Sequence, residues 1–329
     1  MIVCRVPLRI SFFGGGTDYP AWYREHGGCV LSTSIDKYCY VTSRYLPPFF
    51  DHMYRITYSQ IEHVKTLDEI VHPAIRESIR LTQITEGLEI RYDADLPART
   101  GLGSSSSFVV GLLHSLYTLI GRTPTKEELA LDAIKVEQEM LGEAVGSQDQ
   151  CAAAYGGFNW IDFGPSDSIV VTPVSTHADR LNELNDHMLL FYSGVSRFAS
   201  EVAQEQIQKT QSNANQLHEM SELAYEARVL LEGSSPLEDF GKLLHETWKL
   251  KRSLSSKIST SIIDEMYATA MNAGALGGKL LGAGGGGFLL IFAKPEFHAR
   301  IKESLKSYLS IGFKFDNTGS KLLYVHRDG

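Results

Sequence analysis

Apolar residues recur along this chain in two rhythms, short runs that suit strands and longer runs with the spacing of helix faces. IVCRVPLRISFF (2–13) reads as a strand. CVLSTSIDKYCYVTSRYL (29–46) is rich in β-branched and aromatic residues and predicts one or two more, and YRITYS (54–59) another. Residues 67–86 carry a helical pattern. LEIRYDADLP (88–97) alternates and stops at Pro97, which predicts a strand feeding a loop. That loop, PARTGLGSSSS (97–107), holds two glycines and four consecutive serines. It runs straight into FVVGLLHSLYTLI, about four turns of apolar helix ending near Leu119.

Thr125 and Glu128 have the spacing of a capping box, with Pro124 just outside it. The helix they open is predicted to run to about Leu141 and to bury Leu129, Ala133, Val136 and Met140, with Gly142 as its stop. EAVGSQDQCAAAYGG (143–157) predicts a shorter helix closed by Gly156 and Gly157, followed by strands FNWIDF (158–163) and SIVVTPV (168–174). Around 180–186 the chain turns polar, which places a boundary there and divides it into 1–185 and 186–329. The second part opens on a strand, HMLLFYSG (187–194), and continues with helices over 197–232, 236–255 and 260–273. A glycine loop within KLLGAGGGGFLLIFAKP (279–295), a helix (295–309) and a last strand, SKLLYVH (320–326), finish it. Strands and helices mix in both parts, so the expected class is α+β with partly antiparallel sheets.

Composition narrows the function classes. The net charge is −8 with no basic block, which argues against broad nucleic-acid binding but not against holding a few phosphates. The four cysteines (Cys4, Cys29, Cys39, Cys151) are scattered without a CxxC pair, so neither a zinc site nor a disulfide framework is expected. Arginines interrupt the N-terminal apolar stretch and no cleavage pattern follows it, so no signal peptide is read. No apolar run has the length of a membrane span. A cytoplasmic protein with no membrane partner, monomer or homodimer, is the expectation.

Free N–H groups at a helix start carry partial positive charge, and glycines let backbone curl closely around an anion. The serines after Gly101 and Gly103 add hydroxyls that can donate to phosphate oxygens or ligate Mg²⁺. The loop therefore reads either as a nucleotide-phosphate cradle or as an N-cap with a flexible turn. Three other matches are set aside. GAGGGG (282–287) fits G-x-G-x-x-G but precedes a strand-like run, whereas a dinucleotide fold needs a helix there. DFG (162–164) and HRD (326–328) occur in the wrong order for a protein kinase. No G-x-x-x-x-G-K-[ST] is present, which excludes the usual P-loop.

Three segments, PLRISFFGGGTDYP (7–20), PARTGLGSSSS (97–107) and GGKLLGAGGGGF (277–288), together resemble the motifs of the GHMP kinases, named for galactokinase, homoserine kinase, mevalonate kinase and phosphomevalonate kinase. The resemblance spans nearly the whole chain, and the first motif looks most like the sugar-kinase branch, in particular its D-glycero-D-manno-heptose 7-phosphate kinases. It implies a two-domain fold, a β-α-β N-terminal domain with the phosphate loop and a ferredoxin-like C-terminal domain, with the active site between them. It implies ATP and Mg²⁺. The nucleotide phosphates would lie on Gly101, Leu102, Gly103, Ser104, Ser105 and Ser106. Glu137 in KVEQEM matches the family's Mg²⁺-binding Glu, with Ser105 as its companion, and Asp149 in GSQDQ matches the catalytic Asp. Arg9 matches the basic residue that accompanies this Asp; by itself it also reads as half of a buried salt bridge. Asp18 of TDY matches the acceptor of a sugar hydroxyl or, read alone, an Asx turn before Pro20. Glu137, read alone, is a solvated helix charge, a description that suits Glu139 better.

The resemblance implies transfer of a phosphoryl group to a sugar hydroxyl, the anomeric one of D-glycero-D-manno-heptose 7-phosphate, as a step toward surface-polysaccharide precursors. Gly15 and Gly16 stand where galactokinases carry a Glu-His pair, which leaves uncharged space for an anionic substrate. Thr17, Asp18, Gly285 and Gly286 complete the expected sugar site, and Arg197, with Lys251 and Arg252 as other candidates, would meet a substrate phosphate. A galactose- or fucose-type kinase and a non-catalytic sugar and nucleotide sensor on the same fold remain as alternatives.

Overall fold

The first two strand-forming runs make the longest strands of the protein, β1 (Ile2–Phe13) and β2 (Gly28–Tyr45), which pair antiparallel from Ile2↔Ser43 to Phe13↔Leu31. The structure, a computed structural model, describes residues 1–195 and 199–326. β3 (Tyr54–Thr57), β4 (Ile61–Val64), β5 (Leu88–Ala94), β6 (Phe158–Phe163) and β7 (Ile169–Pro173) extend the same sheet. A second sheet holds β8 (Met188–Tyr192), β9 (Gly277–Leu280), β10 (Phe288–Phe292) and β11 (Leu309–Ile311) in the order β11-β8-β10-β9, antiparallel throughout. Fourth, first, third, second is the strand order of a ferredoxin-like βαββαβ unit.

The helices follow the apolar periodicity. They are α1 (Pro20–His26), α2 (Pro73–Thr82), α3 (Ser104–Leu119), α4 (Lys126–Ile134), α5 (Gln148–Tyr155), α6 (Ala178–Asp186), α7 (Ala199–Gln208), α8 (Ala214–Glu232), α9 (Leu237–Leu254), α10 (Ser261–Asn272) and α11 (His298–Ser304). Beyond its opening serines α3 is largely apolar and is buried on nearly every side, packed against β1, β2 and α5. Phe108, Val109, Val110, Leu112, Leu113 and Leu116 lie in the core of the first sheet, each contributing about 1.5–3 kcal/mol by burial. That burial fixes the N-terminus of α3 against β1. The capping box forms as read: the Glu128 N–H donates to Thr125 Oγ1 at 3.1 Å, and the Thr125 N–H to Glu128 Oε2 at 2.7 Å.

Three features depart from the sequence reading. The polar run taken as a boundary is a helix, α6, because its Leu181 and Leu184 recur on one face and pack on the core. The single helix expected over 197–232 divides into α7 and α8. The chain also returns to its first sheet at the end. β12 (Phe315–Asp316) pairs with β2, and β13 (Lys321–Val325) pairs with β1, so residues 315–325 sit with the first sheet and not with the second. Such a long-range pairing leaves no trace in local sequence pattern. No helix among the described residues is long and apolar enough to cross a membrane.

Candidate active site

The glycine-serine loop ends where α3 begins. Gly103, at φ +74, is the residue before the helix, and no side chain caps the first turn. The leading N–H groups of a helix have no partner within it, so those of Ser104, Ser105 and Ser106 form a positively polarised rim. Ser105 is exposed on this rim. Leu102 contributes backbone only: its side chain is buried and its carbonyl accepts from the Arg9 N–H at 3.0 Å. Ser107 Oγ donates to the Pro7 carbonyl at 3.0 Å, which ties the helix start to β1.

Glu137 reaches this rim from the far side. α4 does not continue as an α-helix but widens into a π turn at Lys135–Met140, with the Leu141 N–H donating to the Val136 carbonyl at 3.0 Å. The insertion turns both Val136 and Glu137 inward, while Glu139 stays exposed. Glu137 is 1% exposed and accepts from Ser106 Oγ at 2.8 and 3.1 Å and from Gln150 Nε2. Burial pushes its carboxyl up to about 8, against the pull of those hydrogen bonds. The serine hydrogen-bonded to Glu137 is Ser106, whereas Ser105, expected beside Glu137 as a Mg²⁺ ligand, is exposed on the rim. Successive helical side chains differ by about 100°, so only one of the two neighbours can face the carboxylate.

Asp149, in the first turn of α5, meets Arg9 from the middle of β1. Arg9 donates from Nε to Oδ1 at 2.7 Å and from Nη2 to Oδ2 at 2.9 Å, a bidentate fork, and from Nη1 to the Gly101 carbonyl at 2.6 Å. One guanidinium therefore joins the carboxylate to the phosphate loop. A Cβ at Gly103 would lie 3.1 Å from the Arg9 side chain and 3.4 Å from the Asp149 carboxyl, so the pair sits directly under the rim.

Beside this pair lies a second polar cluster. Asp18 is 2% exposed and accepts from the Gly16 N–H at 2.9 Å and from Gln148 Nε2 at 2.9 Å. Burial, reinforced by nearby Asp149, raises its pKa. Any side chain at Gly146 would overlap this carboxylate. Gln148 Oε1 and Ser11 Oγ are buried without hydrogen-bond partners, and both border Gly15, where a Cβ would lie 3.5 Å from Ser11 Oγ and from Gln148 Nε2. A Cβ at either glycine would be in ordinary van der Waals contact, with polar groups at Gly15 and with Leu217 and Leu254 at Gly16, so the flank at Gly15 is the polar one. Thr17 spends its hydroxyl inside the loop, 2.8 Å from the Gly14 carbonyl, 3.0 Å from that of Cys29 and 3.1 Å from the Cys29 N–H it accepts, so it shapes the turn.

The third motif closes the site from the second sheet. Gly101 and Gly282 face each other so closely that a Cβ on either would overlap the other loop's backbone, and the Phe288 N–H donates to the Thr100 carbonyl at 3.1 Å. Gly285 and Gly286 lie farther back: the Gly285 N–H donates to Ile258 at 2.9 Å, and a Cβ at Gly286 would meet Val195. Two lysines are buried behind the loop. Lys279 Nζ donates to the Phe12 carbonyl at 2.8 Å, joining the two sheets. Lys251, on α9, donates to the Gly282 carbonyl. Arg252, its neighbour, pairs instead with Asp264 at 3.1 Å, and Arg197 lies outside the described residues.

Sequence reasoning missed Gln148, Gln150, Ser11 and Lys279, whose residue types carry no signal until the fold brings them together. The donor set fits Mg²⁺: one carboxylate and one hydroxyl at an anion-binding rim, the sparse protein ligation that this cation completes with phosphates and water. Among the described residues no cluster of three or more His, Cys, Asp or Glu side chains forms a self-sufficient metal cage.

Comparison with known proteins accords with this geometry. Residues 66–157 match the model of the GHMP kinases N terminal domain, and residues 227–311 that of the GHMP kinases C terminal domain, together more than half the chain. A D-glycero-alpha-D-manno-heptose 7-phosphate kinase of Campylobacter jejuni is 28% identical over 316 residues, 92% of each chain. A bifunctional fucokinase/GDP-fucose pyrophosphorylase of Arabidopsis thaliana is 25% identical over 95% of this chain, which spans only 32% of that protein. The crystal structure of a D-glycero-D-manno-heptose 1-phosphate kinase from Bacteroides thetaiotaomicron superimposes with a TM-score of 0.82 at 23% identity, covering 99% of this chain and all of that one.

Proposed function

We propose, from the premise that the chain belongs to the GHMP kinase family, that this sugar kinase transfers the γ-phosphoryl group of ATP to the anomeric hydroxyl of D-glycero-D-manno-heptose 7-phosphate, giving the 1,7-bisphosphate. The observation that carries the reading is the Arg9–Asp149 fork, bound to the phosphate loop on one side and flanked by Asp18 on the other. Phosphoryl transfer asks the protein for in-line positioning and neutralised charge. The N–H rim of α3 holds the nucleotide phosphates. Glu137 and Ser106 would hold Mg²⁺, which when bound neutralises phosphate charge.

The acceptor lies between Gly15, Asp18 and Gln148. Asp18, Ser11 Oγ and Gln148 Oε1 take its hydroxyls, and the flank at Gly15, lined by Ser11 and Gln148, carries no charge to repel an anionic sugar. Asp149 receives the hydrogen bond of the attacking hydroxyl. Arg9 already holds both of its carboxylate oxygens, so Asp149 serves by orienting the nucleophile.

A coupled assay of ADP release over heptose 7-phosphate, unphosphorylated heptose, galactose and fucose tests the reading. Turnover is expected on the heptose phosphate, with the others at least ~10-fold lower in kcat/KM. Preference for galactose or fucose would reassign the acceptor. Asp149→Asn should lower kcat by ~100-fold or more while leaving the ATP KM within ~3-fold, and unchanged kcat would remove Asp149 from the mechanism.

A further inference from the structure

We propose that Lys251 is a third cation of the phosphoryl-transfer centre, holding its ammonium for the phosphoryl group that passes from nucleotide to sugar. The inference rests on the kinase reading above and adds a residue to its centre. Lys251 is 5% exposed near the end of α9. Its Nζ donates to the Gly282 carbonyl and, at 3.5 Å, to that of Leu280. An ammonium has three N–H donors, so one is left over.

No carboxylate among the described residues pairs with it. The two nearest acids are engaged elsewhere, Asp149 by the Arg9 fork and Asp18 by Gly16 and Gln148. A buried ammonium without a counter-ion is costly, and an anion arriving beside it would complete it.

The position says which anion. Gly282, the carbonyl that holds Lys251, stacks on Gly101, whose own carbonyl holds Arg9. Lys251 therefore approaches the mouth of the phosphate loop from the second sheet, opposite Arg9 on the first. A phosphate at the far end of a heptose would lie several bonds from this point. The charged groups around Lys251 are Arg9 from β1, Asp18 from the turn before α1, Asp149 from α5 and Lys279 from β9. Burial and Arg9 lower the Lys251 pKa to about 8, against the pull of the two acids. Lys279, also shifted down by burial, spends its amine on the Phe12 carbonyl and serves as a tie between sheets.

The test compares wild type, Lys251→Met and Lys251→Arg on the acceptor the wild type uses best. Lys251→Met is expected to lose ~100-fold or more in kcat with acceptor and ATP KM within ~3-fold, the size of losing one charged donor from a transition state. Wild-type kcat/KM should fall above about pH 8 as the free enzyme's Lys251 loses its proton, and Lys251→Arg, always charged, should retain activity and flatten that limb. Unchanged kcat in Lys251→Met, or a raised acceptor KM with kcat intact, overturns the proposal, the latter by assigning Lys251 to the acceptor. If Lys251→Met does not fold, the alkaline limb decides: persistence in Lys251→Arg overturns the proposal and its loss supports it. A wild type that transfers to no sugar fails the kinase reading itself, whereas an active wild type with an equally active Lys251→Met fails Lys251 alone.

Discussion

At the scale of single residues, the site depends on side chains placed by what surrounds them. Arg9 and Asp149 were legible in sequence because an arginine inside an apolar strand needs a partner, and the three-motif resemblance supplied one. The Ser105–Ser106 distinction was not legible. It depends on the π turn that rotates Glu137, and one inserted residue leaves no mark in an apolar stripe. Gly146 was equally silent, yet no side chain fits between it and Asp18. Gly146→Ala should displace that carboxylate and raise the acceptor KM by ~10-fold or more, with the ATP KM unchanged, measured by steady-state kinetics. A change confined to ATP would place Asp18 on the nucleotide side.

At the scale of elements, α3 and the α4–π-turn unit form one device. The helix supplies the polarised N-terminus and the turn brings a buried carboxylate to it. α3 was readable from its apolar run, and its burial follows from having no polar face. Ser106 is the link between the two elements, so Ser106→Ala should raise the Mg²⁺ concentration for half-maximal rate by ~10-fold, as loss of a residue that orients a ligand does. Ser105→Ala, on the exposed side, should change it by less than ~3-fold. Equal effects would mean that the rim, and not the Glu137 contact, governs the cation.

At the scale of the whole molecule, the chain's last strands brace its first ones. β13 covers the outer edge of β1, and the Gly157 N–H, at the end of α5, donates to the Asp316 carbonyl at 3.0 Å. The helix carrying Asp149 is therefore supported by residues far along the chain. Ending the protein at residue 313 should leave β1 an open edge and strip this support. Loss of a cooperative thermal transition in circular dichroism is the expected result, and a melt within ~2 °C of the full chain would show the return to be dispensable. This return was the largest feature hidden from sequence, since only partner strands define it.

The seam between the two glycine loops has a further consequence. It is main chain against main chain, with no room for a side chain on either face. Heritable variation has almost nothing to act on there, because nearly every replacement collides. The reaction is thereby locked by its own backbone, while the rim near Gly15, Ser11 and Gln148 stays open to change. A lineage built on this plan can trade one acceptor for another without reinventing the transfer step.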